Sequence, residues 1–172
     1  SNQLNPMNKK VIIGIILGTV VMMGALIWFG RPTASQNGSQ ANSSTSLLKS
    51  DSTLFDFGTI SMKDGNVTKE FVVTNPTDKE ILVSTLETSC MCTKAFMVQP
   101  DGTAKGPFGM RSMGYAWPVN EAIRAGENRI IRVVYDPNAH GPAGVGRIDR
   151  FIILTEESGS QLSLEIKALV TP

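Results

Sequence analysis

The segment Ser89-Cys90-Met91-Cys92-Thr93 concentrates the reactive side chains of this 172-residue sequence, because it contains both of the chain's cysteines. Cysteine side chains bind soft metal ions as thiolates, or pair with one another as a disulfide. Side chains at positions i and i+2 of a β-strand point to the same face. A strand running through the segment would therefore place Cys90 and Cys92 side by side.

Plain packing and metal binding are two interpretations of this pair. Cys is among the most buried residue types, so two cysteines can simply fill space in a core. Alternatively, Cys90 and Cys92 form a soft-metal site with Met91 or with His140, the one histidine of the chain. Copper suits this pattern better than structural zinc, which usually needs a second ligand pair. Further methionines that could complete the ligand set are Met97, Met110 and Met113.

Thiol–disulfide chemistry is the third interpretation. A Cys-x-Cys bridge closes a very small ring, which predicts a strained and easily reduced bond. Other catalytic chemistry is not indicated, because the sequence contains no nucleophile-elbow, zinc-protease, phosphate-loop or dinucleotide motif. We therefore expect no enzyme and assign no catalytic residues. Nearly balanced charge, with 16 Lys and Arg against 15 Asp and Glu, also argues against a nucleic-acid partner.

An alternation of apolar and polar residues with a period of two begins near residue 51 and predicts the elements that hold the cysteines. The predicted strands are Leu54–Phe57, Val67–Thr74, Ile81–Leu86, Arg129–Tyr135, Phe151–Thr155 and Leu162–Val170. Turn residues separate them, and no helical period intervenes. This pattern predicts an all-β domain over residues 51–172, an antiparallel sandwich of seven or eight strands with the cysteines at a strand end.

Two glycine-rich loops interrupt the regular strand spacing. The loop at residues 100–114 contains Phe108, Met110 and Met113, which we expect to be exposed and to contact a protein partner. The loop at residues 140–147 contains His140. Long loops in a compact domain often carry function.

The N-terminal part of the chain predicts a membrane anchor. Residues 11–29 contain no charge, and as a helix they would span about 28 Å, close to the thickness of a bilayer core. Lys9 and Lys10 precede this run, so residues 1–10 are expected in the cytoplasm and the later domain outside it. A cleaved secretory signal is the alternative. The polar residues 30–50 predict a flexible linker.

Several motifs of the predicted domain resemble the bacterial DUF1573 family. Phe55-Asp56-Phe57-Gly58 resembles its FDFG-type first strand, Phe71-Val72-Val73-Thr74-Asn75 its F-x-x-x-N strand end, and Cys90-Met91-Cys92-Thr93 its C-G-C-T motif. The resemblance extends from about residue 54 to residue 170. It implies an immunoglobulin-like sandwich related to PapD-like and ASH-type modules, without an established activity. Met91 departs from the family pattern, in which glycine is usual.

Together these features predict a single-pass protein of the bacterial cell membrane. Its extracytoplasmic immunoglobulin-like domain is expected to be a non-enzymatic binding or assembly module with a protein partner in the envelope. One alternative is a copper-binding protein that uses Cys90, Met91 and Cys92, with His140. A second alternative is a thiol–disulfide redox protein.

Overall fold

The computed structural model of this protein describes residues 45–114 and 118–172. The predicted cytoplasmic segment, the predicted membrane helix and most of the predicted linker lie outside these residues. Within the described part, the helices are short 3-10 segments, and none of them is long enough to cross a bilayer.

Ten strands in the described residues form two five-stranded sheets. In spatial order, the first sheet contains β1 (Lys49–Ser50), β3 (Val67–Thr74), β8 (Asn128–Tyr135), β5 (Thr93–Val98) and β6 (Ala104–Phe108). The second contains β2 (Leu54–Ser61), β10 (Gln161–Thr171), β9 (Gly146–Glu156), β4 (Ile81–Thr88) and β7 (Pro118–Ile123). The predicted all-β class is confirmed, whereas the predicted count of seven or eight strands is too low. The strands missing from the predicted set are β1, β5, β6 and β7. Three of them, β1, β6 and β7, lie at sheet edges, where apolar alternation is weak, whereas β5 lies inside the first sheet between β8 and β6.

The core lies between the two sheets and explains the alternation in the sequence. Phe71 and Val73 of β3 face inward from the first sheet, and Ile152 and Leu154 of β9 face inward from the second. All four side chains are fully buried. Burying a side chain of this size contributes about 1.5–3 kcal/mol, so the alternating strands supply most of the drive to fold.

One strand pair departs from the predicted antiparallel arrangement. Strand β2 pairs in parallel with β10, from Leu54 opposite Glu165 to Ser61 opposite Thr171. No tight hairpin joins these two strands, so chain connectivity does not impose an antiparallel direction. The register shifts between Asp56 and Thr59, where β2 has one residue more than β10. This stretch of β2 includes Gly58, which has a φ of 69°. The glycine of the FDFG motif therefore allows a bulge with a left-handed residue.

The predicted linker is wrong for residues 45–50, which are part of the folded domain. Leu48 is 1% exposed and joins the core, while Lys49 and Ser50 pair with β3. The buried carboxylate of Glu156 accepts hydrogen bonds from the Ser46 hydroxyl and from the backbone N–H of Leu48. One apolar anchor and a buried acceptor thus order a stretch whose composition alone favours a flexible chain.

The two predicted loops are more ordered than their glycine content indicates. Residues 100–114 include β6 and a 3-10 segment, Arg111–Met113, while residues 140–147 include a second one, Gly141–Gly144. The expected exposure of Phe108 is wrong, because this side chain is only 5% exposed and packs in the core. As the last residue of β6, Phe108 takes the inward position of an edge strand.

Candidate functional site

The cysteine segment connects the two sheets. Strand β4 of the second sheet ends at Thr88, and β5 of the first sheet begins at Thr93. Between them the backbone N–H of Thr93 donates to the carbonyl of Cys90 at 3.1 Å, which closes a four-residue turn. The prediction that Cys90 and Cys92 share one face of a strand is therefore wrong. The pair meets across a turn, with Cα atoms 5.3 Å apart, because the chain must leave one sheet to enter the other.

Hydrogen bonds attach this turn to both sheets. The buried Thr88 hydroxyl shares its one proton between the carbonyls of Cys90 and Thr93, which lie 3.0 and 2.9 Å from its oxygen. The N–H of Phe151 in β9 donates to the Ser89 hydroxyl at 2.9 Å, and the Ser89 N–H donates back to the Phe151 carbonyl. Each such bond contributes about 0.5–1.5 kcal/mol net, so the cysteines are held at defined positions.

Met91 occupies the second position of the turn and points to solvent, with 46% of its surface exposed. Among the described non-glycine residues, only Asn120 has a positive φ. The turn therefore does not require glycine at position 91, although the resembling family usually has glycine there. A methionine fits this backbone without the strain of a left-handed conformation.

The two cysteines form a disulfide and differ in accessibility. Cys92 is 2% exposed and belongs to the core cluster, whereas Cys90 is only partly buried at its margin. The Cys92 carbonyl accepts from the N–H of Asp136, just after β8, at 2.9 Å. The pair thus has one accessible and one inaccessible sulfur.

His140 lies against the accessible cysteine, with Nε2 3.1 Å from the Sγ of Cys90. Its loop follows β8 and is organised by Asp136, whose Oδ1 accepts from the N–H of Asn138 at 2.8 Å. A Cβ on Gly144 would lie 3.2 Å from the Pro137 carbonyl oxygen and 3.5 Å from the His140 Cβ. The close packing of Gly144 therefore helps to keep the exposed imidazole beside the sulfur.

Three potential metal ligands converge at this point. The Sγ atoms of Cys90 and Cys92 and a ring nitrogen of His140 lie within 4.8 Å of one another. Sequence spacing alone does not bring His140 here, since it is 50 residues from Cys90. Of the other predicted site residues, Met113 is exposed, and Met110 lines a shallow groove beside Ser89. Phe108 is buried and offers no surface to a partner.

Arg150 is a site residue that the sequence patterns do not reveal. Its Nε donates to the Sγ of Cys92 at 3.2 Å, and its Nη1 donates to the Asp149 carbonyl at 2.9 Å. The guanidinium is permanently charged, so it places a positive charge beside the buried sulfur. Burial raises the pKa of the neighbouring Tyr135; the Arg150 charge opposes this rise, and the Asp136 charge adds to it.

The cysteine segment falls within a match to a family model. Residues 48–106 match the family described as "Protein of unknown function (DUF1573)". The match covers about a third of the chain and includes Cys90 and Cys92, but not His140 or Arg150. No curated protein matches the chain.

Solved structures support the fold. A protein of unknown function from Porphyromonas gingivalis is similar over 78% of this chain and 51% of its own, with 14% identity and a TM-score of 0.51. This chain thus spans about half the length of that protein. An ASH/PapD-like domain of human CEP192 has 7% identity over 74% of this chain and 87% of its own (TM-score 0.43). The periplasmic chaperone SfaE has 13% identity over 73% and 57% (TM-score 0.35). These last two scores support no conclusion.

Proposed function

We propose that this chain is a non-enzymatic, membrane-anchored binding module of the bacterial cell envelope. Its sandwich, which we take to be immunoglobulin-like, presents a Cu(I) site formed by reduced Cys90 and Cys92 with His140. The observation that carries the proposal is the convergence of three soft or borderline ligand atoms within 4.8 Å. The uncharged run at residues 11–29, which would suit a membrane anchor, supports the envelope location.

The ligand set favours Cu(I) over other common metal ions. Thiolate sulfur is a soft ligand, and imidazole nitrogen also binds copper well. Structural zinc almost always takes four protein ligands, whereas this cluster of the described residues has three. The thiols must lose their protons to bind the metal, so only the reduced pair can form the site.

Charge and exposure also suit this role. Two thiolates and one Cu(I) carry a net charge of −1, and the guanidinium of Arg150 beside Cys92 would balance it. The exposed imidazole of His140 provides a route by which the ion can enter from solvent. Cys92, at 2% exposure, stays shielded from water. A protein partner would approach over the adjacent groove, where Met110 lies next to Ser89.

A competition titration of the full-length chain in detergent tests the proposal. The protein is reduced, freed of reductant without oxygen, and titrated with Cu(I) against a chromogenic chelator. We expect one Cu(I) per chain, lost in Cys90→Ser and in Cys92→Ser. Met113→Leu is the matched control, because the exposed Met113 lies outside the three-ligand cluster, and it should bind as the parent does. Absence of stoichiometric copper under reducing conditions would refute the site.

A further inference from the structure

We propose that the Cys90–Cys92 disulfide exchanges with external thiols in one fixed direction. The incoming thiolate attacks the Sγ of Cys90, and Cys92 leaves as a thiolate beside Arg150. This activity goes beyond the proposed copper binding, because it belongs to the oxidised pair and requires no metal. Its substrate class is a dithiol, which becomes a disulfide as the cysteine pair is reduced.

The difference in exposure decides which sulfur is attacked. Thiol–disulfide exchange requires access to the attacked sulfur. Cys92 is 2% exposed within the core cluster, so an external thiol cannot reach it in the folded domain. Cys90 is only partly buried at the margin of the core, and its sulfur lies beside the exposed imidazole of His140. Attack is therefore directed to Cys90.

Arg150 decides which sulfur leaves. Its Nε donates to the Sγ of Cys92 at 3.2 Å, and the Thr93 hydroxyl lies 3.7 Å from the same sulfur. A fixed positive charge at hydrogen-bond distance stabilises the negative charge that develops on Cys92 as the sulfur–sulfur bond breaks. The guanidinium is itself held by its bond to the Asp149 carbonyl, so it is in place before the reaction begins.

The reaction then proceeds in two balanced steps. An external thiolate forms a sulfur–sulfur bond to Cys90, the Cys90–Cys92 bond breaks, and the electron pair passes to the Sγ of Cys92. The second thiol of the substrate, as its thiolate, attacks the mixed disulfide and releases Cys90. His140, 3.1 Å from that sulfur, is placed to share a proton with it. The dithiol loses two electrons and two protons, which the cysteine pair gains.

Trapping the mixed disulfide tests the direction of exchange. The oxidised full-length chain is mixed with glutathione in the presence of a metal chelator, quenched with acid and alkylated. Fragmentation mass spectrometry then locates glutathione and the alkyl group on the two cysteines. We expect glutathione on Cys90 and the alkyl group on Cys92. Glutathione on Cys92, an equal mixture, or no adduct in the folded protein would overturn the proposal.

Variants of Arg150 test the leaving-group assignment. Arg150→Gln should slow adduct formation roughly tenfold, because a charged hydrogen bond to the departing thiolate is lost. Arg150→Lys should recover part of the rate, and it serves as the second variant if Arg150→Gln folds poorly. The control is Arg147→Gln, an exposed arginine of the same strand, which should react as the parent does.

Measuring the adduct rate and the urea unfolding midpoint on the same preparations separates this role from a merely structural one. We expect a slower rate in Arg150→Gln at an unchanged midpoint, with part of the rate recovered in Arg150→Lys. An unchanged rate in Arg150→Gln would overturn the role of Arg150. Copper titration of the reduced chain is independent, so directional exchange without copper binding would refute only the proposed metal site.

Discussion

Two side-chain clusters of opposite character lie at the two ends of strand β8. At its start, Arg129 is 6% exposed and donates to Glu121 at 2.9 Å, to Glu127 at 3.2 Å, and to two backbone carbonyls. The Nζ of Lys105 donates to the other carboxylate oxygen of Glu121 at 2.6 Å. At the other end, past Tyr135, lie the disulfide, the exposed imidazole of His140 and the guanidinium of Arg150.

Both clusters join the two sheets, but they differ in charge pairing and in accessibility. Glu121 belongs to β7 in the second sheet and Arg129 to β8 in the first, so their ion pair bridges the sandwich. In this cluster the two basic side chains, Arg129 and Lys105, lie 2.9 and 2.6 Å from the carboxylate oxygens of Glu121. The sulfur cluster instead has polarisable atoms at an accessible margin. We infer that the charged end serves stability and the sulfur end serves function.

The largest effect is expected from Arg129→Met, which removes the buried partner of Glu121 and leaves only the partly exposed Lys105 beside it. Removing one member of a buried ion pair typically costs about 3–5 kcal/mol in the free energy of unfolding. Urea unfolding of the full-length chain measures this loss. Adding Glu121→Leu should recover most of it, since no buried charge is then left unpaired, and the side chains of Lys105 and Glu127 are accessible to solvent. If Arg129→Met alone were as stable as the parent, the ion pair at this end of β8 would not hold the two sheets together.

Acid should weaken the same end of the molecule. Burial raises the pKa of Glu121, but hydrogen bonds from Lys105 and Arg129 outweigh it and leave that pKa below its ordinary value. A carboxyl whose pKa is lower in the folded than in the unfolded state stabilises the fold fully when the pH is above the unfolded-state pKa. This contribution is lost as the pH falls through the folded-state pKa. The ordinary pKa of this carboxyl is 4.5. We therefore expect the free energy of unfolding to decrease as the pH drops below about 4.5. In Glu121→Gln this acid dependence should be reduced.

At the sulfur end, His140→Asn should change binding rather than stability. Loss of one of three ligands is expected to weaken Cu(I) affinity by roughly tenfold to a hundredfold. Mutation of the groups that merely orient metal ligands already has effects of this size. The exposed imidazole contributes little to the core, so the urea midpoint should stay close to that of the parent. Competition titration and unfolding on the same preparation give both values. A large loss of stability would show that His140 has a structural role. The two ends of β8 would then no longer differ in the way we infer.

The smallest effect is expected from Met91→Gly, which restores the residue usual in the resembling family. Because position 91 does not use a positive φ, glycine gains nothing there and costs about 0.5–1 kcal/mol in conformational entropy. Thermal unfolding of the reduced and the oxidised chain measures this change. An increase in stability would mean that the turn prefers a left-handed residue after all.

Much of the fold could be predicted because its cause is local. The inward residues of β3 and β8 alternate along the chain, so the all-β class follows from the sequence pattern. The edge strand β6 has one buried residue, Phe108, and no alternation to detect it by. The parallel pairing of β2 with β10 could not be predicted either, because it depends on which free edge the first long strand meets.

For the site, the amino-acid sequence alone specified the cysteine pair, because Cys90 and Cys92 are neighbours along the chain and require no fold to bring them close. Tertiary structure decided everything that makes the pair asymmetric. His140 and Arg150 reach the sulfurs from 50 and 58 residues away, across contacts made by β8 and β9. The packing of the two sheets buries Cys92 and leaves Cys90 accessible. Burial and the approach of distant charges depend on strand register and sheet packing, which residue spacing does not encode.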